Sequence, residues 1–251
     1  MQPPGAVPPP PSSSNIKKLI MSDNKTDQEQ QPEISMLDQQ QTAESFLQEK
    51  QARLAQLNDA ATEERANLLL DIAEAYISLN QPSEAWTSAK QSFDIFIFNE
   101  NWQGAVEACN VLYQSEQDDS IVALGQGLWL AVTFPIQADT TVATVQNLID
   151  ETPANADGAA VAAATAHYIA GLRTEGAKQE SLTFLTRHIL GQVAERHSQV
   201  QSQDEFEIWI SRLQLDQPEE FLPRLATVID VMVEDKWWFD RDQLRAKIPD
   251  Q

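Results

Sequence analysis

From about Thr42 onward, apolar residues recur every three or four positions, the spacing that places them on one face of an α-helix. A first helix is marked by Phe46, Leu54 and Leu57. Further helices are predicted over residues 66–79, 83–98, 102–113, 121–134, 140–149, 157–172, 177–197, 203–215 and 219–233. The connecting loops are short, so consecutive helices should lie antiparallel. The pattern predicts an all-α protein built from stacked antiparallel helical hairpins.

Several helix ends carry recognisable sequence signals. Pro82 follows the second segment and fits the first turn of the next helix, where its missing N–H costs nothing. The run Asp118-Asp119-Ser120 precedes an apolar helix, and we expect its side chains to accept bonds from the first free N–H groups of that helix. Ser202 and Glu205 have the spacing of a capping box.

The chain divides by composition into three parts. Residues 1–41 are rich in Pro and Gln and are predicted to form a disordered tail. The sequence at Met21 resembles a natural protein start, so residues 1–20 fit an upstream extension. Residues 42–235 form the predicted helical domain. Residues 236–251 form a C-terminal element rich in aromatic and basic residues.

One segment has small and apolar residues at spacings of 3, 1, 3, 9 and 4, namely Leu69, Ile72, Ala73, Tyr76, Ala85 and Ala89. This segment resembles a tetratricopeptide repeat, in which two helices pack through small residues. The residues around Ala105 have a similar pattern, but Ile97 stands where that repeat usually closes with proline. The resemblance covers about a quarter of the chain. It implies a tetratricopeptide-like solenoid, or an irregular helical bundle, and by analogy a protein-binding scaffold.

The formal net charge of −21 decides which partners are favoured. So acidic a chain repels nucleic-acid phosphates and anionic lipid, and it favours another protein with a basic surface. The acids are concentrated, because residues 91–172 contain no Lys or Arg. Ten acids lie there: Asp94, Glu100, Glu107, Glu116, Asp118, Asp119, Asp139, Asp150, Glu151 and Asp157. This block predicts either an acidic contact face or an ordinary solvated surface.

No catalytic, cofactor or metal site is predicted. The single cysteine, Cys109, excludes an internal disulfide and fits a reducing, cytoplasmic compartment. His167, His188 and His197 lie in none of the metal-ligand spacings, and we expect packing or capping roles for them. No apolar run approaches the ~20 residues of a membrane span. A site built from carboxylates or from His167 stays open as an alternative.

Aromatic residues mark the predicted protein-binding surface. One set would line a groove between helices: Tyr76, Trp86, Trp102 and Trp129. A second set lies in the C-terminal element: Trp237, Trp238, Phe239 and Arg241. Trp and Arg are enriched at binding hot spots, so this element either docks a partner or packs back on the core.

These features favour a non-catalytic cytoplasmic scaffold, adaptor or assembly factor that binds another protein. The acidity is equally typical of bacterial cytoplasmic proteins. One alternative is a helical enzyme or accessory subunit whose site the sequence does not reveal. Another is an acidic mimic of nucleic acid, whose binding to a basic surface would weaken steeply with salt.

Overall fold

The computed structural model describes residues 36–58, 60 and 62–248. Among them it has eleven α-helices and no β-strand, which confirms the all-α prediction. The helices are α1 (Met36–Leu54), α2 (Glu63–Ser78), α3 (Pro82–Phe98), α4 (Trp102–Gln114), α5 (Ser120–Thr133), α6 (Ala138–Glu151), α7 (Asp157–Arg173), α8 (Gly176–Ser198), α9 (Gln203–Arg212), α10 (Pro218–Val233) and α11 (Arg241–Arg245). Helix α1 begins six residues before the expected start, and most of the predicted tail lies outside the described residues.

Helices α2 to α8 stack in chain order within the compact unit of residues 40–251. Each packs on the next, and contacts also join α2 to α4 and α4 to α6. Helix α10 breaks this order, because it returns to pack on both α5 and α7. The result is a stack of helical hairpins with the last long helix laid across it.

Helix α5 lies at the centre, and every residue from Val122 to Ala131 is buried. A helix that is apolar all round needs neighbours on all sides, and α4, α6 and α10 supply them. Two glycines allow the close approach. A Cβ on Gly125 would lie 2.6 Å from Val233 of α10, and one on Gly127 would lie 2.7 Å from Cys109 of α4. Burial raises the pKa of the Cys109 thiol, which favours an inert core residue.

Three arginines bind the C-terminal ends of other helices. Arg173 donates to the carbonyls of Ala131 at 2.8 Å and Val132 at 3.1 Å, in the last turn of α5. Arg196 donates to the end of α6 at 3.0 Å, and Arg224 to the carbonyl after α9 at 2.7 Å. The carbonyls at a helix end lack partners within the helix and attract cations. These contacts therefore join α7 to α5, α8 to α6 and α10 to the end of α9.

Two of the three signals predicted at helix starts are confirmed, and one is wrong. Pro82 is the first residue of α3, and Ser202 and Glu205 form the predicted capping box, so both predictions are confirmed. The expected cap at the start of α5 is wrong. The Asp119 carboxylate accepts a bond from Lys236 at 2.8 Å instead, because the C-terminal segment brings a cation to it. Ser120 donates to a carbonyl of α4 at 3.0 Å.

Helices α1 and α2 share a small separate cluster around Leu47, Ile72 and Ala75. Phe46, which the sequence places on the apolar stripe, is 39% exposed, and the Lys50 ammonium lies 4.7 Å from its ring centre. None of the helices in the described ranges combines the length and the apolar content needed to cross a membrane.

Candidate functional site

The C-terminal aromatic residues pack against α3 and α5. Trp237, Trp238 and Phe239 follow α10, and all three are partly buried against the main core. We call the resulting set of rings the aromatic seam: Trp86, Phe93, Trp102, Trp129, Phe134, Trp237, Trp238 and Phe239. The seam joins residues more than 140 positions apart in the sequence.

Edge-to-face contacts dominate the aromatic seam. The Trp238 ring centre lies 6.1 Å from that of Trp86 and 5.2 Å from that of Phe93, both on α3. The Trp129 ring on α5 lies 5.3 Å from Phe239 and 6.1 Å from Trp237. Aromatic pairs in such geometries add stability beyond the area they bury. The C-terminal segment therefore packs on the core, as one of the two readings of it predicts.

A fully buried glutamine fixes the backbone of this segment. Gln126 of α5 accepts a bond from the Trp238 N–H at 3.0 Å and donates to the Lys236 carbonyl at 3.4 Å. Arg241 donates to Asp230 of α10 at 2.6 Å. The oxygen and the nitrogen of the buried Gln126 amide are thus both hydrogen-bonded to this segment. These two bonds fix which of its residues lie against α5.

The predicted binding residues do not all lie together. Trp86, Trp102 and Trp129 belong to the aromatic seam, although Trp102 reaches it only by stacking on Phe134 at 4.2 Å. Tyr76 lies elsewhere, in the cluster between α1 and α2, where its hydroxyl accepts a bond from Gln51 at 2.8 Å. The structure therefore does not form one groove from the four groove residues.

Half of the ten central acids form ion pairs with bases that lie outside their block. Lys247 pairs with Glu100 at 2.6 Å, and Lys178 pairs with Asp139. The remaining pairs are Asp94 with Lys90, Asp119 with Lys236, and Asp157 with Arg224. Four of these five bases follow the block in the sequence, so later segments supply much of the positive charge that the block lacks.

Other central acids surround Tyr113 at the end of α4. Its hydroxyl donates to Glu151 at 2.6 Å. Burial, this bond and the charges of Glu151, Asp150 and Glu116 raise the pKa of Tyr113 to about 12. The tyrosine therefore stays protonated at neutral pH and remains a hydrogen-bond donor to the acidic group.

An open apolar cleft of about 690 Å³ lies between α7, α8, α9 and α10. Its apolar walls include Tyr168, Leu190, Phe206, Ile210 and Phe221, and its polar lining residues include His167, Arg187, Gln203 and Asp216. Small-molecule sites typically measure ~300–1,000 Å³ and combine apolar walls with a few polar groups. The cleft therefore has the size and composition of a binding site.

His167 of α7 lies against the Thr186 hydroxyl of α8. Its Nδ1 lies 2.9 Å from the hydroxyl oxygen, which also lies 3.0 Å from the Leu182 carbonyl. A neutral imidazole has one protonated nitrogen and one acceptor nitrogen. Burial, with a smaller effect of the Arg187 charge, lowers the pKa of His167, so the ring is neutral at pH 7.

Arg187 differs from most arginines of the described region. Seven others donate hydrogen bonds to protein acceptors: Arg53, Arg173, Arg196, Arg212, Arg224, Arg241 and Arg245. Arg187 lines the cleft, is exposed, and has no ion pair within the described part of the chain. One turn further along α8, a Cβ on Gly191 would meet no atom within 4 Å. The mouth of the cleft is therefore open and carries a cation.

The outer face of α8 also exposes large apolar side chains. Phe184 is 78% exposed and the adjacent Leu185 is 46% exposed. Phe184 precedes Arg187 by three residues, so the two lie on neighbouring turns of one helix face. Exposed apolar groups that adjoin one another mark interaction surfaces more often than isolated ones.

His197 connects α7, α8 and α9. Its Nε2 lies 3.1 Å from Asp157, and its Nδ1 lies 2.7 Å from Ser198 Oγ. This connectivity resembles a catalytic triad, but the buried Trp209 indole also donates to Nδ1 at 3.2 Å. Arg212 in turn donates to Ser198 at 3.1 Å. Because the imidazole and the hydroxyl are occupied by these donors, the network fixes α9 on α8.

The sequence identified only part of the cleft. His167 is a candidate because of its residue type. Nothing in the sequence distinguishes Arg187 and Gly191, because their place in the cleft depends on how α7 to α10 pack. Among the described residues, no group of three or more His, Cys, Asp or Glu side chains is arranged to hold a metal ion.

Comparisons with known protein families, with curated proteins and with solved structures find no match for this chain. The resemblance to a tetratricopeptide repeat therefore stays a prediction. Three features of this chain bear on its function: the aromatic seam, the cleft and the exposed face of α8.

Proposed function

We propose that this protein is a non-catalytic scaffold, adaptor or assembly factor that binds another protein through the outer face of α8. The observation that carries the proposal is the exposure of Phe184 and Leu185 beside an open apolar cleft. Burying two such side chains at an interface is favourable, and aromatic residues, Phe included, are enriched at the cores of protein interfaces.

The acidic charge has a secondary role in this proposal. Because five central acids already form ion pairs, the block supports a dedicated contact face less strongly than its composition suggests. A net charge of −21 still steers the protein toward a basic surface during encounter. A cytoplasmic location is part of the proposal. The ion pairs also weaken the case for a mimic of nucleic acid.

Affinity purification with the full chain from its native host tests this proposal. The variant is Phe184→Ser, and the matched control is Phe98→Ser, since Phe98 of α3 is 76% exposed. We expect a stoichiometric partner with the wild type and with Phe98→Ser. Phe184→Ser should weaken its binding by about tenfold or more, since hot-spot losses are ≥ ~2 kcal/mol.

Two outcomes would refute the proposal. One is the absence of a stoichiometric partner under mild conditions. The other is equal binding by the two serine variants, since a contact through α8 must distinguish them. Both substitutions are at exposed sites, so their thermal unfolding should match that of the wild type within about 0.5 kcal/mol.

A catalytic role is a second candidate, which the neutral His167 in the cleft favours. A half-buried, neutral imidazole has a nitrogen that can accept a proton, as a general base must. This alternative predicts that a compound bound in the cleft is chemically converted, and that His167→Gln stops the conversion without preventing binding. Mass spectrometry of incubated ligands would distinguish binding from turnover.

A further inference from the structure

The cleft has open volume that none of its lining side chains fills. Leu190, Leu215 and Phe221 are buried beside it, whereas Phe206 and Ile210 of α9 are only partly buried. The aromatic rings of Tyr168 and Phe221 meet edge to face at 6.0 Å. An apolar ligand of moderate size could therefore replace water against several rings and branched side chains at once.

The charge at the mouth of the cleft restricts the ligand further. Arg187 is the basic side chain among the lining residues, and Asp216, the acidic one, forms no ion pair with it. A guanidinium presents a planar set of donors that matches a carboxylate. His167 supplies an acceptor rather than a second positive charge, because burial lowers its pKa. One cation in a strongly acidic protein favours a monoanion over a phosphate dianion.

We propose that this cleft binds a small organic acid, with its carboxylate on Arg187 and its apolar body between Tyr168, Phe206 and Phe221. The site goes beyond the proposed protein-binding function and does not depend on it. The open space at Gly191 would be the entrance, since any larger side chain there would project into it.

Isothermal titration calorimetry on the full chain tests the proposal with decanoate and its neutral analogue decanamide. We expect decanoate to bind about ten- to a hundredfold more tightly than decanamide, the range for a hydrogen bond to a charged group. Arg187→Gln should lower decanoate affinity by the same factor and leave decanamide unchanged. Gly191→Leu should abolish binding of both compounds by occupying the entrance.

Lys178→Gln is the matched control, because it removes one positive charge from the same helix at an exposed position outside the cleft. It should retain decanoate binding. Circular dichroism and thermal unfolding would show that each variant is folded. Leucine favours a helix more than glycine does, so Gly191→Leu should not disrupt α8.

Three outcomes would overturn the proposal: no decanoate binding by the wild type, equal affinity for the acid and the amide, or full binding by Gly191→Leu. If decanoate fails to bind while Gly191→Leu loses the protein partner, the cleft takes a side chain of that partner. The protein-binding proposal would then survive alone. If Phe184→Ser retains a partner while the Arg187 results hold, only the cleft proposal survives.

Discussion

The aromatic seam and the cleft are both apolar surfaces between helices, but only the seam is filled by the chain itself. Trp129 in the seam is 4% exposed, because the residues after α10 cover it. The cleft has Phe206 and Ile210 of the short helix α9 on one side, and its space remains open. The aromatic residues after α10 therefore pack on the chain itself, whereas the cleft keeps a space that its lining side chains do not fill.

The basic side chains of the two regions also differ in whether they have contacts within the folded chain. In the seam, the Arg241 guanidinium lies 4.1 Å from the Trp237 ring centre, and Arg245 lies 5.4 Å from Trp129. Such cation–π contacts stabilise the folded chain. Arg187 in the cleft has no contact of this kind in the described residues. The seam thus uses its positive charge internally, and the cleft leaves its charge for a ligand.

The largest expected difference comes from removing one ring in each region. Trp129→Ala should lower the free energy of unfolding by about 3–5 kcal/mol, since it leaves a cavity among packed aromatic rings. Phe206→Ala should cost only about 1 kcal/mol, because its ring is partly exposed and already borders open space. Urea denaturation of both variants measures the contrast.

Equal losses of unfolding free energy in Trp129→Ala and Phe206→Ala would show that the seam and the cleft do not differ in how tightly they are packed. A small loss for Trp129→Ala would mean that the C-terminal segment does not seal the seam. A large loss for Phe206→Ala would mean that α9 closes the cleft in solution.

A smaller loss of stability is expected from substitution of Gln126, the α5 residue that binds the C-terminal segment. Gln126→Leu keeps the volume but leaves the Trp238 N–H without its acceptor, so we expect a loss of about 1–3 kcal/mol. Faster hydrogen exchange at the Trp238 amide would locate the loss. Gln114→Leu, at an exposed position in α4, should change stability by less than about 0.5 kcal/mol. Unchanged exchange in Gln126→Leu would contradict the role assigned to this side chain.

The helices could be predicted from the sequence because their signals are local. A spacing of three or four between apolar residues, and breaks such as Pro82, located the helices from 66 to 233 to within a few residues. The failure at Asp119 has a non-local cause. Its carboxylate is used by Lys236, 117 residues away, and no local pattern can show that competition.

The candidate site was less predictable for the same reason. The rings of the seam were evident from residue type, but their packing against one another depends on the return of α10 across α5 and α7. The cleft arises where α7, α8, α9 and α10 meet, so its lining residues belong to four separated segments. Within the described residues, Arg187 lacks the hydrogen-bond acceptor that seven other arginines have, and only the fold determines that difference.

The smallest effect that separates the two regions is a pH dependence, because the cleft contains His167 and the aromatic seam contains no histidine. Burial lowers the folded-state pKa of His167 below the ordinary value of about 6.5, so the unfolded chain binds this proton more readily. Stability should therefore fall as the pH drops below about 6.5, and the loss should level off below the folded pKa. The loss of stability amounts to about 1.4 kcal/mol for each unit by which the pKa is lowered.

His167→Gln should lack this part of the pH dependence, whereas His188→Gln, at an exposed position of α8, should keep it. Denaturation midpoints between pH 5 and 7.5 measure the difference, and identical slopes in the two variants would show that His167 is not held neutral in the cleft.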